Sequence, residues 1–522
     1  FNESREPIKS HLEDLLFFIE KEGFIYSHQI CEDEFSEPVI VYSWGMQPAF
    51  DYLIGRKLYD AIRNGKNIQL EYTNGIYQML SLIVIEEDGK LISEYSNIKL
   101  EESVLFDLIC YTLANTSVEI ASKYRDYVKK LMHYSEAEFR EIVNRVIIPV
   151  SEINNHPLGG KLLDEFLRGF DKPAQRDIWW SIPTYLRNNY NASWRTFSEL
   201  DLSMIALSDK DNYMGKPLIL VWRLSSVDND VRRDCRLKLT EWGINNPYEY
   251  LDLLLYCADI NDEQIVEDIF AIAYGIALGK FVQKEYLEKL SSWIVENVYS
   301  EEGLFKYENS AIRYYCKGIV KIAISKGLCD AECEKRISEK YIRKSSFMPA
   351  YKDSFDSKRL SGYGPIYYDL ARYVLCDHLD RFFCINYKTR EYLRETEKFI
   401  EKYKKEYDVD MLAPEGLIIS IAFQYLLNQG WDEKIFWECE DKNNLGIDIC
   451  IRNTYMRSTH GAKSKVMTVA EKYVWCVKHR MEAVFASQLQ YNYYGQGVRY
   501  ISDYYEIDDF TNTYQDYVNS RY

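Results

Sequence analysis

The sequence predicts a mainly α fold, a superhelical α-solenoid of HEAT or TPR type, on three observations. Residues 221–281 read as three consecutive amphipathic helices joined by short polar turns. Apolar spacing of the same period recurs on both sides of that stretch, while only 39–44 (VIVYSW) reads as β-like. At 522 residues the chain is too long for one compact core, so two to four packing units are expected. A helix pair with a tight elbow cannot bury its apolar stripe alone, and stacking further pairs on it is the logic of a solenoid.

Residues 1–65 read as a winged-helix-like end or adaptor. Leu12, Leu15, Leu16 and Ile19 mark a helix that Gly23 closes, and Phe50, Leu53, Ile54, Leu58 and Ile62 mark another ending at Asn64-Gly65. DNA binding by such a module needs a basic recognition helix, which this stretch lacks.

Residues 66–350 form the expected helical-repeat solenoid. Val104, Leu108, Tyr111 and Val118 share one helix, and Tyr124, Val128 and Leu131 the next. His156 before Pro157 is read as a turn or cap residue, and Trp179 and Trp180 as core. Val231, Cys235, Leu239 and Trp242 line the first helix of 221–281, and Asn245-Asn246-Pro247 ends it. Leu251 and Leu254 point inward from the second, and Ile265, Ile269, Ile272 and Ile276 from the third. Leu287, Leu290, Ile294 and Val298 continue the pattern.

Residues 351–522 are the C-terminal helical part with a Tyr-rich cap. A polar loop at 343–364 precedes helices at 367–383 and 390–407, and LIISIAFQYLL at 417–427 reads as a buried helix. A basic, glycine-containing loop then leads into a strongly amphipathic helix within 457–486. The last segment, 488–522, holds nine tyrosines and no lysine and is expected to pack as an irregular cap.

Net charge is −17, from 64 basic and 81 acidic residues, which disfavours nucleic acid or an anionic membrane as the main partner. Forty-five tyrosines suit both helix packing and interaction surfaces, and coding bias also produces such enrichment. Twelve cysteines are scattered through apolar stretches, with Cys329 and Cys333 the close pair. That spacing does not make a zinc site, and the cysteines read as reduced core thiols of a cytoplasmic protein. No signal peptide or membrane-spanning run is evident. The start at Phe1 in a charged stretch suggests a piece of a longer protein.

Chemistry is sparse. Gly-Lys occurs at Gly65, Gly89, Gly160, Gly215 and Gly279, but none is followed by Ser or Thr, so no Walker A loop is present. The seven histidines show no metal-ligand spacing. One constellation gathers Ser458, His460, Lys463, Lys465, Glu471, Lys472 and His479 around a helix start, where free N–H groups and the dipole favour an anion. Arg457, His460, Lys463, Lys465 and Lys472 are its candidate partner-binding residues. The same segment also reads as a solvated loop capping a packed helix, with Thr468 as N-cap and Glu471 completing a capping box. No catalytic, metal or cofactor residue is assigned.

Several phrases together resemble the C-terminal sensor regions of the Avs (AVAST) antiviral proteins, prokaryotic signal-transducing ATPases of the STAND class. They are VIVYSWGMQPAFDYLIGRKL at 39–58, HPLGGKLLDEFL at 156–167, QRDIWWS at 175–181, and VRRDCRLKLTEW with VEDIFAIAYGIAL in 231–278. IRYYCKGIVKIAISKGL at 312–328, DLARYVL at 369–375, NQGWDEKIF at 428–436 and EKYVWCVKH at 471–479 complete the set, which covers about 39–486. Gly159-Gly160, Cys235 and Arg480 depart from the family pattern. The resemblance implies a non-enzymatic sensor arm preceded in the full protein by an effector domain and a nucleotide-binding domain, to which ATP and magnesium belong. It also implies that the arm binds a phage terminase large subunit or portal protein, triggering oligomerisation and effector activation. Two other readings stand beside it: a diverged helical enzyme acting on nucleic acid, resting on His460, and a structural scaffold for self-assembly.

Overall fold

The computed structural model describes residues 6–23, 25–30, 39–67, 74–182, 205–279, 282–337, 346–352, 364–386, 389–437, 446–454, 464–492 and 498–499. Over these residues the chain is mainly helical, as an α-solenoid requires, and strand is confined to two short antiparallel ladders. Compactness divides the chain differently from the expected 1–65, 66–350 and 351–522: one unit is Phe1–Asp126 and the other Tyr127–Tyr522.

In the first unit the helix Glu6–Lys21 stops at Gly23, whose φ of 77° is a left-handed turn suited to glycine. Strand Ile25–Ile30 then pairs with Val39–Trp44, so the one β-like run of the sequence finds a partner that its reading did not include. The helices Gln47–Arg63 and Asn74–Asp88 cross closely at Gly55, where a Cβ would stand 3.0 Å from the Leu80 backbone nitrogen. Leu58, Tyr59, Ile62, Tyr77, Leu80, Val84 and Leu108 form the core of this unit.

Side-chain caps set where the second unit's helices begin. Asp228 accepts from the Asp230 and Val231 amides to open Asn229–Asn245, and Asp262 accepts from Gln264 and Ile265 to open Glu263–Leu278. Asn309 does the same for Ser310–Ser325, and Thr468 for Val469–Gln488. Proline occupies the first turn of Pro173–Trp180, Lys216–Arg223, Pro247–Cys257 and Pro414–Asn428, where its missing N–H costs nothing.

The three helices expected within 221–281 are Asn229–Asn245, Pro247–Cys257 and Glu263–Leu278, each packed against the others. Lys284–Asn297 and Ser310–Ser325 continue the stack. Trp180, Leu239, Trp242, Ile265, Ile269, Ile272 and Ile276 are buried as expected, and so is the helix around 417–427. Val231 is only half-buried, because the inward stripe of Asn229–Asn245 turns instead through Arg232, Cys235, Arg236, Leu239 and Gly243.

The central helix Glu263–Leu278 and the C-terminal helix Val469–Gln488 are the longest of the helices buried on most sides. The latter packs on the central helix, on Ser310–Ser325, on Pro414–Asn428 and on the widened turns of Leu370–Cys376. The expected cap at 488–522 lies almost wholly outside the described residues, as does most of the 343–364 loop.

Candidate functional site

Segment 464–468 is sewn onto the start of Asn229–Asn245. The Asn229 amide donates to Lys465 O (2.9 Å), the Met467 amide to Val227 O (2.9 Å), and Asn229 Nδ2 to Ser464 O (2.6 Å). Asp228 and Val466 form a single antiparallel bridge between them. Thr468 Oγ1 then accepts from the Glu471 amide at 2.9 Å, as the cap reading expects. The Glu471 carboxylate accepts from the Ser464 amide at 3.1 Å. Asp448 reaches in from Ile447–Thr454 and takes the Val469 and Ala470 amides at 2.7 and 3.1 Å, together with Trp431 Nε1 at 2.9 Å.

One turn further on, Lys472 carries the centre of the site. Its Nζ donates to both oxygens of Asp177 (3.0 and 2.9 Å) and to Asp262 Oδ2 (2.9 Å), which uses all three ammonium protons. Arg176 Nη2 donates to the same Asp262 oxygen at 2.9 Å, its guanidinium stacks 4.9 Å from the Trp222 ring centroid, and Nη1 reaches Asn261 Oδ1. Tyr473 and Ser181 hydroxyls donate to Asp177 at 2.7 and 2.6 Å. The side chains of Arg176, Asp177, Asp262 and Lys472 are wholly buried, two cations against two anions.

Neutrality makes this burial sustainable. An isolated buried charge costs several kcal/mol, whereas a paired and fully hydrogen-bonded one recovers most of that cost. Burial pushes Asp262 up, but Lys472 and Arg176 outweigh it and hold the carboxyl below its usual range. Burial likewise pushes Lys472 down, and the two aspartates more than offset it, so the ammonium is held charged. Asp177 moves upward through burial, because it shares its lysine with Asp262. Asp448 accepts three hydrogen bonds, yet burial outweighs them and pushes it up to about 6.

The network extends along both central helices. Trp222 Nε1 and the Tyr256 hydroxyl donate to Asp164 at 2.8 and 2.6 Å, and Arg168 Nε pairs with it at 3.0 Å. Arg232 binds Asp268 through Nε (2.5 Å) and Nη2 (2.8 Å), and Arg236 adds a third contact at 3.2 Å. Glu267 meets His479 Nδ1 at 2.9 Å and Asn309 Nδ2 at 2.7 Å. Burial lowers the His479 pKa, but Glu267 outweighs it and raises the net value. Glu263 accepts from the Tyr425 hydroxyl and from Asn309, at 2.5 and 2.8 Å. These contacts tie residues 164–181, 222–268, Asn309 and 425–479 into one clamp.

Lys472 is therefore corrected: its ammonium is enclosed and saturated by carboxylates, so it is not a surface contact for a partner. Lys465 is exposed and pairs with Asp230 at 3.0 Å, an arrangement worth little in water. Arg457, His460 and Lys463 lie outside the described residues. His156 is a buried turn residue whose Nδ1 accepts from the Leu158 amide at 3.2 Å. Sequence reasoning passed over Asp164, Asp177, Asp262 and Asp448. Asp262 alone carried a signal, as an aspartate placed just before an apolar run.

A groove of about 730 Å³ lies elsewhere in the second unit, where Tyr392, Ile400, Met411 and Leu412 meet Glu397, Glu401 and Lys404. Among the described residues no cluster of His, Cys, Asp and Glu is placed to hold a metal ion, and no helix is long and apolar enough to cross a membrane. Comparison with family models, with curated proteins and with solved structures returned no match.

Proposed function

We propose that this chain is the recognition module of an antiviral signal-transducing ATPase of the Avs class, binding a phage terminase large subunit or portal protein. The observation that carries this reading is a convergence. The phrases similar to that family are scattered over about 39–486, yet those from 156 to 479 supply most members of the single buried clamp. HPLGGKLLDEFL provides Asp164, QRDIWWS provides Arg176, Asp177 and Ser181, and VRRDCRLKLTEW provides Arg232 and Arg236. VEDIFAIAYGIAL provides Glu267 and Asp268, and EKYVWCVKH provides Lys472, Tyr473 and His479. Residues that meet only in the folded chain are the ones a shared architecture would repeat.

On this reading the clamp holds helix pairs of HEAT or TPR type in register, and residues 1–65 are the end of a winged-helix domain. ATP and magnesium are bound by a preceding domain, and ligand capture drives self-association and effector activation in the full-length protein. Contact falls to outward side chains. Tyr134, Tyr248, Tyr368 and Tyr392 are exposed, and Tyr and Trp recur at recognition surfaces because one ring offers large area at low entropic cost. Arg457, His460, Lys463 and Lys465 stay in the proposed contact set, and Lys472 leaves it.

Pull-down with purified terminase and portal proteins from several phages tests the reading, the expected result being a stable complex with one of them. Replacing Tyr134 and Tyr368 by alanine is expected to weaken that complex about tenfold or more, as loss of an aromatic anchor does. Absence of any complex across the panel counts against the proposal. Heat on titration with Mg²⁺ would point to the hydrolase reading instead.

A further inference from the structure

Ten cysteines are described, of which eight are buried, and only Cys329 and Cys333 keep partial exposure. They stand four residues apart in one turn. Cys329 follows the end of Ser310–Ser325, and Asp330 caps the short helix Ala331–Arg336 by accepting from the Cys333 amide at 3.0 Å. That cap turns the chain at Asp330, with Cys329 just before it and Cys333 in the first turn of the helix after it. Cys329 Sγ also donates to Ser291 Oγ of Lys284–Asn297 at 3.3 Å, which fixes the side chain on the face turned toward its neighbour.

The remaining thiols are poor candidates for reaction. Burial pushes Cys235 up to about 12 and raises Cys257, Cys316 and Cys476 as well, so they stay neutral and enclosed. Burial and the Asp330 carboxylate push Cys333 up to about 11, so it rests as a thiol. Cys329 lies just outside the helix Ala331–Arg336 and serves as the attacking thiol, with Cys333 in its first turn as the resolving one.

We propose that Cys329 and Cys333 are a redox-modification site that closes a reversible intrachain disulfide, with a low-molecular-weight disulfide such as oxidised glutathione as oxidant. The Cys329 thiolate attacks one sulfur of oxidised glutathione. The S–S bond of the oxidant breaks, and one glutathione leaves and takes up the proton that Cys329 had released. Cys333 then gives its proton to water as its sulfur attacks Cys329 Sγ, which expels the second glutathione as a thiolate that is reprotonated. Two protein thiols are oxidised by two electrons, and one small disulfide is reduced to two thiols. The product staples the turn and removes the hydrogen that Cys329 gives to Ser291.

Trypsin isolates the site, because Lys326 and Lys335 bracket both cysteines in the single peptide 327–335. The full folded chain is reduced, exposed to oxidised glutathione, alkylated and digested without reductant. The expected result is a peptide lighter by about 2 Da than the reduced one, with no alkylation, restored by dithiothreitol. Cys333→Ser is expected to abolish the loss and leave Cys329 carrying one glutathione. A wild-type peptide that alkylates at both cysteines, keeps glutathione without cyclising, or crosslinks to another peptide would overturn the proposal.

Discussion

Lys472 is the residue on which the clamp turns, since its three protons join Asp177 to Asp262. Lys472→Met keeps the stem but leaves two buried carboxylates facing Arg176 alone. The variant is expected to lose about 3–5 kcal/mol, the usual result of removing one partner of a buried pair. Adding Asp177→Asn, which removes the surplus negative charge, is expected to restore part of the loss. Every tryptophan except Trp44 lies in the second unit, so urea unfolding followed by tryptophan fluorescence reads this directly. A midpoint shift equivalent to under about 0.5 kcal/mol would mean the pairing is ornamental. Asp448 gives a pH signature. Its folded value of about 6 lies above its unfolded value of 3.8. Between them the folded chain holds a proton that the unfolded chain has lost. Stability from this group is therefore complete below the unfolded value and declines as pH rises through about 6. The full swing is on the order of 3 kcal/mol. Asp448→Asn is expected to lose less stability than wild type between pH 4 and pH 7, and equal slopes in the two proteins would refute the assignment.

At the scale of helices, close approach is set by glycine. A Cβ at Gly318 would stand 2.5 Å from the Tyr274 ring, and one at Gly243 would stand 2.4 Å from Ile276 Cδ1. Both positions press a flanking helix onto the central one. Alanine gains about 1 kcal/mol of helix propensity over glycine, but overpacking costs about 1–3 kcal/mol. Gly318→Ala is therefore expected to be neutral to destabilising, and a rise in thermal midpoint would show that Tyr274 simply swings away. Elements of this kind were largely legible in the sequence, because period, proline and cap residues are local signals. The elbow at Asn246-Pro247 and the apolar rows through Trp242, Ile269 and Ile276 are where the pattern puts them. The clamp was not legible. Arg232, Arg236 and Asp268 are charged residues on core faces, and hydrophobic periodicity assigns such positions to solvent. Their partners lie 32–36 residues away, or 210 and 295 in the case of Lys472, a separation that no local pattern encodes. The reading of Lys472 failed for that reason: a lysine one turn into a helix after a basic loop looks solvated until Asp177 and Asp262 are brought to it.

At the scale of the whole second unit, the clamp makes a claim about cooperativity that a pure solenoid does not. In a one-dimensional stack each repeat depends on its neighbours, so removing the distal end leaves the rest folded. Here Lys472, His479 and Tyr425 from the last third of the chain neutralise or hydrogen-bond Asp177, Asp262, Glu267 and Glu263 from the middle. The Ala174 amide also donates to Gln429 O, and Lys172 Nζ to Asn428 O, both at 3.0 Å, so the Pro173–Trp180 helix is bound at its start as well. Cutting the chain after residue 350 would strip these partners together. It would leave the buried Asp177, Asp262 and Glu267 and the half-buried Glu263 short of partners and expose the apolar faces of the central helix. Residues 127–522 expressed alone are expected to unfold in one transition with native helix content, whereas 127–350 is expected to be soluble only as a loosely packed species without a sharp transition. Circular dichroism and calorimetry on the two fragments distinguish the outcomes. A cooperative transition in 127–350 would mean that the repeats are energetically independent and that the C-terminal helix is a passenger. A single transition confined to 127–522 would mean that a force on any outward face of the unit acts on all of it, which is the mechanical property the proposed sensor role needs in order to report at a distance.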